Sequence, residues 1–148
     1  MDKMKAVIIT GAGRGLGEAV ARDLLSKGMC VVIADVHKVD INKYNNNSEF
    51  NSSDNILSHQ VNVSNRVEVK EMFTSALKKF KHLDYLINFA GINRDAPFIE
   101  MTDADWDSVI SVHLKGTFIC CQEFVKCKSQ GNGHIINVSA ACGIQGRK

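Results

Sequence analysis

The stretch "VIITGAGRGLGEAV", residues 7–20, is the one from which the rest of the chain can be read. Its apolar run ends a strand at Thr10, glycines follow at 11, 13, 15 and 17, and a helix begins near Gly15. Glycines permit a tight turn and close backbone approach, so unpaired amides at the helix start can meet a pyrophosphate. The spacing is Thr-Gly-x-x-x-Gly-x-Gly; a strict Gly-x-Gly-x-x-Gly would need glycine where Leu16 stands. A glycine cluster alone also fits a flexible turn, and the strand–turn–helix context is what favours a phosphate loop. Twenty residues after Gly15 a second apolar run ends in Asp35. A carboxylate there can accept hydrogen bonds from both ribose hydroxyls of an adenosine; a polar strand end or a helix cap is the alternative, and the offset and context favour the ribose contact.

Outward from this stretch, strand-like and helix-like segments alternate. Ala6–Ile9, Cys30–Ala34, Ile56–Val61, Tyr85–Asn88 and Ile135–Val138 are short apolar runs, as buried parallel strands should be. Leu16, Ala19, Val20 and Leu24 recur at helical spacing, with Gly28 as the expected stop. Ser64 is placed to cap a helix carrying Met72, Phe73, Ala76, Leu77 and Phe80 on one face. The longest stripe runs from Trp106 through Val109, Leu114 and Phe118 to Val125. Such alternation implies right-handed crossovers and a parallel sheet covered on both faces, an α/β chain forming one domain over residues 1–148. The exception is Asn42–Asn55, with six Asn and three Ser, which reads as a loop holding at most a short helix.

A formal charge of +2 is too small to imply a nucleic-acid partner. The basic run Lys78, Lys79, Lys81 and His82 closes a helical pattern, where cations suit the carbonyl end of the dipole. The five cysteines have no metal-ligand spacing and no even disulfide framework, so neither a metal nor an oxidising compartment is expected. Adjacent Cys120 and Cys121 should point in different directions. No leader precedes the first strand and no apolar run approaches the roughly 18 residues of a membrane span, which together suggest a cytoplasmic protein.

Several motifs together resemble the short-chain dehydrogenase/reductase family. "TGAGRGLG" is similar to its cofactor loop, "VNVS" at 61–64 to the segment after its third strand, and "NFAG" at 88–91 to its Asn-Asn-Ala-Gly. "WDSVISVHLKGTF" is similar to its long helix and "GHIINVSA" to its fifth strand. "AGINRD" and "MTDADWDSVISVHLKGTF" look most like the branch of 3-oxoacyl-acyl-carrier-protein reductases and 3-hydroxyacyl-CoA dehydrogenases. The resemblance implies a Rossmann-type doubly wound sheet of five strands in the order 3-2-1-4-5. It also implies hydride transfer between a nicotinamide and a 3-oxo or 3-hydroxy acyl thioester, or a related carbonyl or alcohol.

Carried over position by position, Gly11, Arg14, Gly15, Leu16 and Gly17 would surround the pyrophosphate, and Asp35 would hold the ribose. Asn62 and Val63 would meet the adenine, Asn62 standing where the family has an acid and offering its amide oxygen to the amino group. Asn88, Ala90 and Gly91 would line the route to the nicotinamide. The catalytic positions depart from the pattern. His113 occupies the family's Asn position on the apolar stripe, where a buried, hydrogen-bonded histidine is the plain reading. Ser139 and Ala140 stand where the family has Ser-Ser, the second of which is catalytic, and adjacent strand residues face opposite ways. No Tyr-x-x-x-Lys occurs within the 148 residues. The expectation is a family member whose chain as given lacks the proton donor and its activator, with no catalytic residue assignable; the alternative is a non-catalytic dinucleotide-binding or interaction protein.

Two further expectations follow. The 2′-phosphate of NADP would sit against Asp35, so NAD should be preferred, although Arg14 in the loop pulls the other way. The fifth strand leaves an apolar edge and the long helix an apolar face, so the chain should associate with itself or with a relative.

Overall fold

The structure, a computed structural model, describes residues 4–44, 54–127, 132–141 and 145; Cys142 and most of the Asn-rich stretch lie outside these. Five parallel strands, β1 (Ala6–Thr10), β2 (Cys30–Asp35), β3 (Ile56–Gln60), β4 (Tyr85–Asn88) and β5 (His134–Asn137), form one sheet. Their order is β3-β2-β1-β4-β5, as expected. The helices are α1 (Gly15–Ser26), α2 (Arg66–Phe80), α3 (Asp103–Ile110) and α4 (Thr117–Cys127), with a π-helical segment Ser111–Gly116 joining the last two. A 3-10 turn, Ile41–Tyr44, follows β2 and overlaps the start of the Asn-rich stretch, expected as a loop holding at most a short helix.

The near-continuous apolar runs of β1 and β2 are explained by burial on both faces, whereas β5, expected as a buried strand, is exposed along its length. Ala6, Ile8, Val32 and Ala34 point into a core shared with Val69, Met72, Phe73 and Ala76 of α2 and Ile119, Cys120 and Phe124 of α4. Their neighbours Val7, Ile9, Val31 and Ile33 point the other way, against Ala21 and Leu25 of α1 and Tyr44 of the 3-10 turn. Each such fully buried branched side chain contributes about 1.5–3 kcal/mol, so these two layers are the main stabilising term. Cys120 lies wholly in the core while Cys121 is half-buried, so the pair does diverge.

Helix boundaries follow the signals with one correction. α1 stops before Gly28 as expected. α2, however, is capped by Asn65 rather than Ser64: the Asn65 side chain accepts from the Val67 N–H. Ser64 instead donates both its N–H and its hydroxyl to Asn62 Oδ1. Two Asx-type interactions thus compete for one turn, and the longer side chain one residue later wins the helix.

At the amino end of the strands Asp84 ties three of them together. Its carboxylate accepts from the Ala6 N–H at 2.9 Å and pairs with Lys5 at 3.2 Å, while its backbone joins Ala6 and His134. Burial pushes this carboxyl up, but the Ala6 amide, Lys5 and His82 outweigh it and hold it below the ordinary 3.8. A depressed carboxylate contributes stability that is present above its unfolded value and lost as pH falls through the folded one. Asp84→Asn is therefore expected to cost about 1–3 kcal/mol at pH 7, with the gap to wild type closing below about pH 4. Thermal melts of both proteins from pH 7 to pH 3 would show a constant gap if the carboxylate were not responsible.

The fifth strand is paired on one side only among the described residues. It presents Ile135, Ile136 and Val138 at 36%, 50% and 44% exposure. Trp106, Leu114, Phe118 and Val125 are likewise exposed along the α3–α4 rod. No helix among the described residues is long and apolar enough to cross a membrane.

Candidate functional site

The chain runs from β1 outward through β2 to β3, then returns to place β4 on the other side of β1. The loops leaving β1 and β4 therefore diverge at the carboxyl ends of neighbouring strands, which opens a crevice there. Gly11 lies at its floor. Its φ is +66°, and a Cβ built on it would meet the backbone nitrogen of Ala90 at 2.8 Å. The contact is fixed by two bonds across the crevice, Phe89 N–H to Thr10 O at 3.1 Å and Ala90 N–H to Thr10 Oγ1 at 3.2 Å.

From Gly11 the loop climbs to α1. A Cβ on Gly17 would overlap the carbonyl oxygen of Gly11 and lie 3.1 Å from the Ala12 Cα, so only glycine lets the helix seat on the loop. Arg14 precedes the helix in extended conformation and its side chain does not cap it. The first bond back into the helix is Glu18 N–H to Arg14 O, so the amides of Gly15, Leu16 and Gly17 precede the first helical hydrogen bond. Those amides and the close glycine backbone form a cradle suited to a pyrophosphate. Arg14, Gly15 and Leu16 are exposed around it.

Asp35 ends β2 beside this cradle. Its Oδ2 accepts from the Gly13 N–H at 2.9 Å and its Oδ1 from the His37 N–H at 3.0 Å. The carboxylate is thereby oriented by two backbone donors, with lone pairs still to offer. Farther out, beyond the end of β3, Val36, Gln60, Asn62 and Glu68 line an open cleft of about 430 Å³. Val63 is different from its neighbour: it is buried against Gly116 of the π-helical segment and can offer only its backbone to a ligand. The amide oxygen of Asn62, expected to be available, is already engaged by both donors of Ser64.

On the opposite side of the crevice Asn88 is buried at the end of β4. Its Nδ2 donates to Asn137 Oδ1 at 2.8 Å, and its buried Oδ1 has no hydrogen-bond partner among the described residues. It acts here as a cross-strand brace between β4 and β5. Ala90 and Gly91 follow on the crevice wall. The ring of His113 stands over Gly91, where an added Cβ would meet Cε1 at 2.5 Å. His113 Nε2 lies 3.0 Å from the Ile92 N and 2.8 Å from the Ile92 O, accepting from the first or donating to the second according to tautomer. The histidine is hydrogen-bonded as expected but exposed rather than buried, as are Leu114 and Phe118 of the same stripe.

Ser139 and Ala140 are exposed just past β5. Cys120 is no substitute nucleophile, since burial with the neighbouring Cys121 pushes its thiol up to about 12. No group of three or more metal-ligating side chains occurs among the described residues.

Two parts of the site had escaped sequence reading. Tyr44 donates its hydroxyl to the Ala12 carbonyl at 2.8 Å, and Lys43 reaches the Gly13 carbonyl at 2.7 Å and Glu18 at 2.9 Å. The 3-10 turn thus tethers two successive carbonyls of the glycine loop from outside. Hydrogen bonds from Lys43 and Arg22 hold the Glu18 carboxyl below its usual range, which keeps this tether ion-paired. Glu68 is the second. An Asn-x-x-Glu spacing from Asn65 to Glu68 carries a capping signal that could have marked it.

Residues 5–148 match the family of short chain dehydrogenases. The chain belongs to that family. The 3-oxoacyl-[acyl-carrier-protein] reductase FabG of Thermotoga maritima is 36% identical to it over 143 residues. That alignment covers 96% of this chain and 58% of the relative. Nodulation protein G of Rhizobium is 34% identical over 96% of this chain and 57% of its own length. A crystal structure of a short chain dehydrogenase from Bacillus anthracis superposes with a TM-score of 0.88 at 32% identity. It covers 98% of this chain and 59% of that one. The chain thus spans less than three-fifths of the length of these relatives.

Proposed function

We propose that this chain is the dinucleotide-binding part of a short-chain dehydrogenase and that it takes NAD in preference to NADP. The observation that carries the reading is the juxtaposition of the uncapped start of α1, the glycine loop packed on Ala90, and the Asp35 carboxylate held by the Gly13 amide. In this reading Gly11, Arg14, Gly15, Leu16 and Gly17 surround the pyrophosphate. Asp35 takes the ribose hydroxyls, Asn62 and Val63 border the adenine, and Asn88, Ala90 and Gly91 form the wall toward the nicotinamide. The bound nicotinamide would supply hydride chemistry; the residues here bind it, orient it and shape the crevice.

The names of its relatives support a 3-oxoacyl or 3-hydroxyacyl thioester, or a related carbonyl, as the substrate class of the protein to which this segment corresponds. Ala140 stands at the family's serine position, and Tyr44 and Tyr85, the two tyrosines of the sequence, do not begin a Tyr-x-x-x-Lys. The 148-residue polypeptide by itself is therefore expected to bind cofactor without turning substrate over. Its exposed β5 edge and α3–α4 face favour self-association or pairing with a relative. Fluorescence titration with NADH and NADPH, followed by an acetoacetyl-CoA reduction assay, tests the reading. NADH should bind more tightly, with no rate above buffer. Tighter NADPH binding would overturn the preference, and a clear rate from the pure chain would overturn the inactivity.

A further inference from the structure

The 3-10 turn after β2 reaches the glycine loop at two successive carbonyls, those of Ala12 and Gly13. We propose that Tyr44 is a positioning residue for cofactor selection, clamping the peptide plane that orients the Asp35 carboxylate, an inference that rests on the dinucleotide reading above.

The peptide joining Ala12 to Gly13 is bonded at both ends. Its carbonyl accepts from the Tyr44 hydroxyl at 2.8 Å, and its N–H donates to Asp35 Oδ2 at 2.9 Å. The carbonyl and the N–H of a trans peptide point opposite ways, so the two bonds hold one rigid plane from its two sides. Asp35 is seated closely on that plane, since a Cβ built on Gly13 would lie 2.7 Å from its Oδ2. The other carboxylate oxygen accepts from the His37 N–H at 3.0 Å. Released from Gly13, the carboxylate would pivot about this second bond.

Tyr44 is well placed to hold the plane still. It is buried, and Arg22 and Lys43 lie over its ring at 4.7 Å and 5.0 Å from the centroid. Arg22 of α1 also donates to the Lys43 carbonyl at 2.6 Å, which bolts the turn to the helix as well as to the loop. Burial raises the hydroxyl above its ordinary 10.0, so it stays protonated and donating at neutral pH. Removing the hydroxyl would take this donor from a buried carbonyl, a cost that turning the plane toward water relieves, and glycine at position 13 permits the turn. The same rotation carries the N–H away from Asp35. The carboxylate then loses its alignment with the ribose hydroxyls, and its charge leaves the position that a 2′-phosphate would take. Both effects lower the preference for NADH.

The test is the ratio of NADH to NADPH affinity, read by fluorescence titration of the 148-residue chain. Tyr44→Phe keeps the ring that the two cations face and removes only the hydroxyl. It should lower the preference for NADH by about three- to tenfold, the scale of one hydrogen bond. In an Asp35→Asn background the same change should move the ratio by less than about twofold, because the group it positions no longer carries the charge. A purely structural role would lower the melting temperature and weaken both cofactors alike. An unmoved ratio in Tyr44→Phe therefore overturns the proposal, as does an equal shift in the Asp35→Asn background. Amide hydrogen exchange in the wild-type chain reads the clamp without any substitution. The Gly13 N–H should exchange more slowly than the Gly15 N–H, which precedes the first helical bond, and equal rates overturn the clamp. A wild-type chain that binds neither dinucleotide, or binds NADPH more tightly, overturns the cofactor reading itself and with it the selection that Tyr44 serves.

Discussion

Gly17→Ala is expected to reduce NADH affinity by at least about thirtyfold and to destabilise the fold by about 1–3 kcal/mol. The new methyl would overlap the Gly11 carbonyl oxygen and press to 3.0 Å from the Gly11 carbonyl carbon and 3.1 Å from the Ala12 Cα. All of these are backbone atoms, so no rotamer change relieves the clash. Either α1 lifts from the loop or the loop moves toward β4, where Gly11 is already tight against Ala90. Both movements displace the Gly15–Gly17 amides from the cradle, and binding that depends on their alignment is lost.

Gly15→Ala is the informative comparison. Gly15 has φ +61° but nothing within 4 Å of an added Cβ, so it carries only the left-handed backbone penalty of about 1–2 kcal/mol. Titration with NADH and thermal melts of the two variants should rank Gly17→Ala as the larger loss of affinity. Equal losses of affinity would mean that loop strain, and not helix seating, governs the cradle.

The ease with which these glycines were read illustrates what the sequence makes legible. Residues 7–20 place strand, turn and helix in one window, and each signal is local: apolar β-branched residues, then glycines, then helical periodicity. The strand order is legible only through the family resemblance of the motifs, since apolar runs and helical crossovers imply a parallel sheet covered on both faces without fixing the order of its strands. The boundaries that shifted did so by a residue, such as β5 starting at His134, where a polar residue continues a ladder that hydropathy alone ends.

What remained hidden is non-local. Lys43 and Tyr44 lie in a polar stretch with no periodicity, yet they close on the carbonyls of Ala12 and Gly13 some thirty residues earlier. Nothing in composition marks a lysine whose partner is a distant backbone oxygen. Asn62 failed in a related way. Its amide was rightly seen as capable of accepting, but a side chain's capacity says nothing about which neighbour takes it first. Ser64, two residues on, is the local competitor that the spacing contains and that propensity alone does not rank. His113 shares its exposure with Leu114 and Phe118 of the same stripe, and helical periodicity marks an apolar face without showing what covers it.

Asp35→Asn should change the cofactor preference by about a hundredfold, from NADH toward parity with NADPH or beyond it. Two effects add. The variant keeps one acceptor oxygen but loses the charge-assisted bonds to the ribose hydroxyls, which should weaken NADH about tenfold. It also removes a negative charge from the position that a 2′-phosphate must occupy, where repulsion at about 4 Å reaches about 4 kcal/mol at an effective dielectric constant of 20. Arg14, exposed in the loop, can then pair with the phosphate unopposed. Asn disturbs the loop less than Ala, because it retains an acceptor for one of the Gly13 and His37 amides that the two Asp35 oxygens hold and turns its NH2 toward the other. Ala would leave both amides without their acceptor and would weaken both cofactors through the loop. Parallel titrations of wild type, Asp35→Asn and Asp35→Asn/Arg14→Ala separate these contributions, since loss of Arg14 at the pyrophosphate should weaken both cofactors but NADPH by the larger factor. If NADPH affinity did not rise in Asp35→Asn, the carboxylate would not be the group that excludes the 2′-phosphate.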